Sequence, residues 1–179
     1  MLLLVGERCR VRSWRGSDVE SLVRHANNPS VAMQLRDRFP HPYRRADGVA
    51  FLRHATGADP QTNFAIEVDG EAAGAIGFVR GADVERFSAE IGYWLGQAHW
   101  GRGVVTEALT LMTTHGFSAL NILRFFALPF ADNAASARVL EKAGYVREAL
   151  LKNSCVKFGR PRDQFLYARV NENWRFEET

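Results

Sequence analysis

The chain is poor in the residue types that announce several common functions. Only two cysteines, Cys9 and Cys155, stand among 179 residues, and neither belongs to a CxxC or a Cys/His pair at metal spacing. No disulfide framework or zinc site is readable, so a reducing compartment and no metal are expected. The five histidines add no ligand pair. His25, His54 and His115 fall on expected helices, while His99 precedes a glycine-rich turn, where it is expected to face solvent although a phosphate lies within reach. Long apolar runs are missing as well. Met1-Leu2-Leu3-Leu4-Val5 breaks at Gly6-Glu7-Arg8, too short for a signal-peptide core. Nothing later approaches the ~20 apolar residues that span a bilayer, so a cytoplasmic protein without membrane contact is expected.

Charge of one sign is scarce too. The 23 lysines and arginines exceed the 20 acidic residues by only +3, and they occur in short clusters such as Arg8/Arg10/Arg12 and Arg160/Arg162. That excess suits an anionic ligand, but no recognition motif supports direct nucleic-acid binding. A Walker A string is absent. A GxGxxG match at Gly101 and Gly103 fails at Thr106, and no acidic residue follows at ribose-binding distance.

What is present is an ordinary globular composition, 46% hydrophobic and 24% charged, long enough for one domain with a full core over residues 1–179. There is no repeat, low-complexity tract or linker. Residues 8–14 alternate, with Arg8, Arg10 and Arg12 on one side and Cys9 and Val11 on the other, which predicts a half-buried strand. Ser17-x-x-Glu20 reads as a capping box opening a helix to about 27, followed by a helical piece over 30–36. The two prolines of Phe39-Pro40-His41-Pro42-Tyr43 make a rigid loop, and a helix over 46–56 follows. Strands are expected over 63–69, 72–80 and 87–95, the first two joined by an Asp69-Gly70 hairpin turn. A helix over 104–118 should bury Val104, Ala108, Leu111, Met112 and His115. Strand 122–130, a helix from Asn133 to Ala143 capped by Gly144, and strands near 145–151 and 164–171 complete the pattern. The order β-α-α-β-β-β-α-β-α-β-β predicts an α+β fold around a mixed, mostly antiparallel sheet.

The most informative stretch runs from Glu90-Ile91-Gly92-Tyr93-Trp94-Leu95 through Trp100-Gly101-Arg102-Gly103 to Thr106-Glu107-Ala108. A strand ends, a two-glycine turn follows, and a helix begins. Unpaired N–H groups and the positive end of the helix dipole suit a diphosphate there. These strings, with Asn133-Ala134-Ala135-Ser136-Ala137-Arg138 and Gly159-Arg160-Pro161-Arg162-Asp163 plus Tyr167, resemble GNAT acetyltransferases. The similarity is greatest to the RimJ/RimL group, which includes ribosomal-protein N-terminal acetyltransferases, and it covers nearly the whole chain.

The resemblance implies a GNAT fold and acetyl-CoA as cosubstrate. It implies that the backbone of Tyr93, Trp94 and Leu95 pairs with the pantetheine arm, that Trp100, Gly101, Arg102, Gly103, Val104, Val105 and Thr106 hold the pyrophosphate, and that Asn133 lies close by. Two positions depart from the wider family. Trp100 replaces a polar residue, and Val105 stands where glycine or alanine is usual, adding bulk near the diphosphate. Aligning Asn133 places Leu140 where many members carry a general-acid tyrosine. Ser136, one turn after Asn133, is the implied substitute, donating to the CoA sulfur.

Acetyl transfer needs a neutral amine, oxyanion stabilisation and a proton for the thiolate. Glu90, a charge in an apolar strand, is the candidate base, relaying a proton through water. Glu107, in the first helical turn, is expected only to favour the dipole. Cys9 and Cys155 are expected to be structural, and Arg138 or Lys142 to reach the CoA 3′-phosphate or remain solvated. Arg36, Arg38, Arg44, Arg45, Arg160 and Arg162 make the 37–45 loop and the 152–163 segment basic, which favours an acidic acceptor. The sequence therefore points to an N-acetyltransferase acting by direct attack on the thioester, with a peptide or ribosomal-protein α-amine as acceptor, in a monomer or homodimer. The alternatives are acetylation of a small amine such as a polyamine, antibiotic or toxin, and a non-catalytic CoA-binding regulatory module.

Overall fold

A computed structural model describes residues 1–176. Two short strands, β1 (Leu3–Val5) and β2 (Arg10–Arg12), precede helices α1 (Val19–Ala26), α2 (Pro29–Ala32) and α3 (Arg45–Gly57). A meander of β3 (Asn63–Val68), β4 (Glu71–Arg80) and β5 (Ser88–Leu95) leads into α4 (Val104–Ala119). The chain continues through β6 (Arg124–Ala127), α5 (Ala134–Lys142), β7 (Val146–Lys157) and β8 (Arg160–Val170). All eight strands form one sheet in the order β1-β2-β3-β4-β5-β6-β8-β7. Among the described residues only β5 and β6 run parallel; the other neighbours are antiparallel. This is the expected α+β arrangement. Among the described residues, no helix is long and apolar enough to cross a membrane.

Local chemistry accounts for most boundaries. Asp69 and Gly70 both have positive φ, 51° and 85°, as a type I′ hairpin turn requires. Asn133 caps α5 by accepting from the Ser136 N–H at 3.0 Å, and the helix ends before Gly144 at φ 80°.

Other expectations are corrected. The predicted Ser17/Glu20 capping box does not form: a single 3-10 turn spans Gly16–Asp18, and α1 starts after it. There the Asp18 carboxylate accepts the Arg15 N–H at 2.8 Å, which closes the 3-10 turn, while α1 itself starts without a side-chain cap. The second helical piece stops at Ala32, and β6 is shorter than expected. Conversely, residues 152–163 are largely hairpin: β7 and β8 turn at Phe158-Gly159, with φ 49° and 76°. The buried stripe of α4 also contains Leu109, Thr113 and Gly116, while Leu111 and His115 are only partly buried.

The sheet carries apolar clusters on both faces. Val11, Phe64, Ile66, Ile76, Phe78 and Ile91 pack with α4 and α5 residues such as Met112 and Leu140. On the other face Trp14, Leu22, Tyr43, Leu52 and Ala75 pack together, with Trp94 and Phe39 against them. At about 25 cal/mol per Å² of apolar area these two layers supply the main driving force for folding. The expected arginine face of β2 is not solvated at Arg12, which is 3% exposed. Arg12 donates through Nη1 and Nη2 to Asp18 at 2.8 and 2.9 Å and through Nε to Glu67. The Asp18 hydrogen bonds outweigh burial and raise the Arg12 pKa above its ordinary value.

Candidate active site

Strands β5 and β6 pair only over Ser88↔Arg124, Ala89↔Phe125 and Glu90↔Phe126. Beyond that point β5 follows β4, with Trp94 opposite Ala75, while β6 follows β8, so a gap opens between parallel neighbours. The Phe87 carbonyl accepts from the N–H groups of Leu123 and Arg124 on the β6 side. Backbone groups alternate along a strand, so Tyr93 and Leu95 turn theirs into the gap and Trp94 does not. The pairing surface expected over 93–95 is therefore two residues on one edge. One of its acceptors is engaged: the Trp100 indole N–H donates to the Leu95 carbonyl at 2.7 Å.

At the mouth of the gap, Gly101 and Gly103 have φ 75° and 76°, a conformation that costs other residues roughly 1–2 kcal/mol. A Cβ at Gly101 would meet nothing within 4 Å, and one at Gly103 would touch only Arg8 at 3.4 Å. The turn thus presents open backbone at the N-terminus of a 16-residue helix, the geometry that favours an anion. Val105 is half-buried and packs against the main core, so its extra bulk is at least partly absorbed there. Thr106 is half-buried, and Arg138 and Lys142 are exposed on α5.

Glu107 does more than favour the helix dipole. Its carboxylate accepts the backbone N–H groups of Glu7, Arg8 and Cys9 at 3.0, 2.8 and 2.9 Å. It thereby clamps the β1–β2 turn, and with it Arg8, beside Gly103. Burial would raise the Glu107 pKa, but these amide donors outweigh it and hold the carboxyl below its ordinary value. Burial, and then the thiol's own hydrogen bond to the Glu107 carboxylate, push Cys9 up to about 12. Cys9 is thus an inert structural thiol.

Across the gap, Tyr93 of β5 meets Ser136 of α5, with Oη and Oγ 2.8 Å apart. Burial, countered only in part by Ser136, raises the Tyr93 pKa above its ordinary value, so the phenol remains protonated. The position implied for a helical tyrosine is held by fully buried Leu140; the nearby phenol comes instead from the strand. Sequence reading used only the backbone of Tyr93, and the alternation that separates its side chain from that of Trp94 was the available signal.

On the opposite sheet face Glu90 forms an ion pair with Arg36. It borders a cavity of about 530 Å³ lined by Val79, Ser88, Glu90, Arg124, Phe126 and Leu166. The 37–45 loop and the 152–163 segment do meet, where Lys157 pairs with Asp37 at 2.9 Å; Arg162 reaches the chain just before the loop, donating to the Met33 carbonyl at 3.4 Å. Their basic charge is partly spent, since Arg45 pairs with Glu20 and Arg162 with Asp132. His99 is not solvent-facing. It is 8% exposed, and burial, then His25 and Arg102, lower its pKa.

Residues 8–146 match the family described as acetyltransferase (GNAT) domain. The chain belongs to the GNAT acetyltransferase family. An uncharacterized N-acetyltransferase of Bacillus subtilis, YoaA, is 39% identical over 56% of each chain. The uncharacterized N-acetyltransferase p20 of Bacillus licheniformis is 28% identical over 97% of this chain and 99% of its own. The ribosomal-protein-serine acetyltransferase of Escherichia coli is 33% identical over 60% of this chain and 59% of its own. The matches to YoaA and to the E. coli enzyme thus span less than two thirds of those proteins. Among solved structures, RimL, a ribosomal L7/L12 alpha-N-protein acetyltransferase in complex with coenzyme A, superimposes with a TM-score of 0.83 at 22% identity, over 94% of this chain and 98% of that one. This GNAT chain is accordingly an acetyltransferase, and RimJ/RimL-type enzymes are among its relatives.

Proposed function

We propose that this acetyltransferase moves the acetyl group of acetyl-CoA to a peptide N-terminal α-amine by direct attack on the thioester. The observation that carries the reading is the gap between β5 and β6, ending at an open glycine turn on a helix N-terminus. Such a slot fits an extended arm with a diphosphate at its end. Acetyl-CoA supplies the thioester. Tyr93 and Leu95 offer backbone groups to the arm, and residues 100–106 offer N–H groups to the diphosphate. Tyr93 donates to Ser136 Oγ, which leaves the Ser136 proton to be given to the departing sulfur. Glu90 takes the amine proton through water, on the face that holds the open cavity. No covalent intermediate is required, consistent with a buried, protonated Cys9.

The choice of α-amine rests on the relatives and on proton availability. An α-amine has a reference pKa of about 7.7–8.0 against ~10.4 for lysine, so near pH 7.5 about a third of it is neutral, against roughly 0.1% of the lysine. An enzyme whose base is one partly exposed carboxylate gains most from the α-amine. The test is thiol release with matched peptides, either free at the N-terminus or N-terminally blocked with an internal lysine, beside polyamines and aminoglycosides. Free α-amines should win, with a further gain from acidic residues after the first. Preference for a small amine over every peptide would make this a small-molecule acetyltransferase, and CoA binding without turnover would make it a regulatory module.

A further inference from the structure

A second constellation lies behind the glycine turn, made of residues far apart in sequence. His25 of α1, Glu71 at the start of β4 and His99 place one ligand atom each within 4.8 Å of one another. His25 Nε2 lies 2.9 Å from Glu71 Oε1. The other ring nitrogen of His25 packs on Gly96, where a Cβ would approach Nδ1 to 2.4 Å, so the backbone at Gly96 fixes the imidazole. The three side chains line a cavity of about 440 Å³ together with Arg24, Asn28 and Gln97.

We propose that His25, Glu71 and His99 bind one divalent transition-metal ion of the zinc class. Zinc accepts imidazole nitrogen and carboxylate oxygen at about 2.0–2.2 Å, which sets neighbouring ligands of a tetrahedral ion about 3.3 Å apart. The His25–Glu71 spacing of 2.9 Å is already near that value, and the three atoms, within 4.8 Å of one another, draw in as the ion binds. Two nitrogen ligands argue against magnesium and calcium, which take oxygen. Three protein ligands leave a position open toward the cavity, as in open zinc sites. Arg24 pairs with the second oxygen of Glu71, the outer-shell contact that orients a ligating carboxylate.

One neighbour opposes the ion and gives the proposal a sign. Arg102 NH1 donates to His99 Nδ1 at 3.2 Å. The ion either takes Nδ1 in place of Arg102, or takes Nε2, whose proton then shifts to Nδ1; both release Arg102. That guanidinium is 54% exposed and keeps Asp69 within 3.9 Å, so its release is not costly. Metal occupancy is thereby coupled to the turn assigned to the diphosphate. The coupling rests on that assignment, whereas ion binding does not and is measured without CoA.

The experiment is titration of the chelator-treated full chain with Co²⁺, followed by visible absorption, and with Zn²⁺ by calorimetry. One equivalent should bind, and Zn²⁺ should raise Tm by linkage. His99→Ala and Glu71→Gln should each weaken binding at least about tenfold, and exposed His54→Ala should leave it unchanged. Arg102→Ala, a surface change in the turn, should tighten binding severalfold because a competitor is gone. Absence of a saturable Co²⁺ spectrum in the wild type would overturn the proposal without reference to any variant. So would equal binding by a His25/Glu71/His99 triple variant, or weaker binding by Arg102→Ala.

Discussion

Glu90 and Glu107 stand on the two sides of the same strand-turn-helix segment, and their surroundings could hardly differ more. Glu107 faces the β1–β2 turn, and three backbone N–H groups converge on its carboxylate. Glu90 borders the cavity on the other sheet face and pairs with Arg36, whose side chain is 62% exposed. A carboxylate saturated by fixed amides is part of the scaffold. One whose single partner among the described residues is an exposed cation is open to exchange. The α4 side of the gap is thus built rigid, and the sheet face opposite is left adjustable.

The comparison breaks most visibly in stability. Charge-assisted hydrogen bonds contribute about 1.5–3 kcal/mol each and are not additive, so Glu107→Ala should cost about 3 kcal/mol in urea unfolding. Glu90→Ala should stay within about 0.5 kcal/mol, as exposed ion pairs do. The Glu107 carboxyl is held below its ordinary value. Its stabilisation is therefore present above the unfolded-state pKa and lost as pH falls through the folded one. Glu107→Gln should accordingly flatten the acid limb of the stability curve. Equal losses for the two glutamates would end the distinction.

Next in size is the proton donor proposed across the gap. Ser136→Ala should lower kcat about 10²-fold, equivalent to about 2.7 kcal/mol, with little change in KM for acetyl-CoA. Tyr93→Phe should cost less. Combined with Ser136→Ala it should add nothing, because it acts through that hydroxyl. Full kcat in Ser136→Ala would return the serine to an ordinary helix position. The turn itself comes third. Gly103→Asp places a side chain at φ 76° beside Arg8 and a carboxylate near the diphosphate, so CoA should bind at least tenfold more weakly, about 1.4 kcal/mol. Unchanged affinity in a folded variant would place the cosubstrate elsewhere.

Local signals made much of this legible in advance. Positive-φ positions at Asp69-Gly70 and Gly101/Gly103, the Asn133 cap and the period-two strands depend on a few adjacent residues, and each was readable from them. What stayed hidden depends on contacts across the chain. Arg12 looks like one of three solvated arginines until Asp18 and Glu67 close around it. His99 looks solitary until α1 and β4 bring up His25 and Glu71. The Tyr93–Ser136 contact spans 43 positions, and Glu107 meets partners about 100 positions away. A single sequence carries no term for such pairs.

The smallest expected effect tests whether Glu90 moves a proton or only binds. If it serves as a water-relayed base, its value depends on how much amine is already neutral. For an α-amine with pKa near 7.8, about 5% is neutral at pH 6.5 and about nine tenths at pH 9. Glu90→Gln keeps the shape and weakens the Arg36 contact while removing the base. With a peptide α-amine as acceptor, its kcat/KM should fall about fivefold at pH 6.5 and by less than about twofold at pH 9. Glu107→Gln, measured below its melting range, should show no such convergence, since its carboxylate is taken up by the Glu7, Arg8 and Cys9 amides, on the opposite sheet face from Glu90. A Glu90→Gln deficit constant across this range would assign the residue to acceptor binding through its charge. No deficit at any pH would mean that the amine loses its proton to bulk water, and that the adjustable face selects acceptors without helping to deprotonate them.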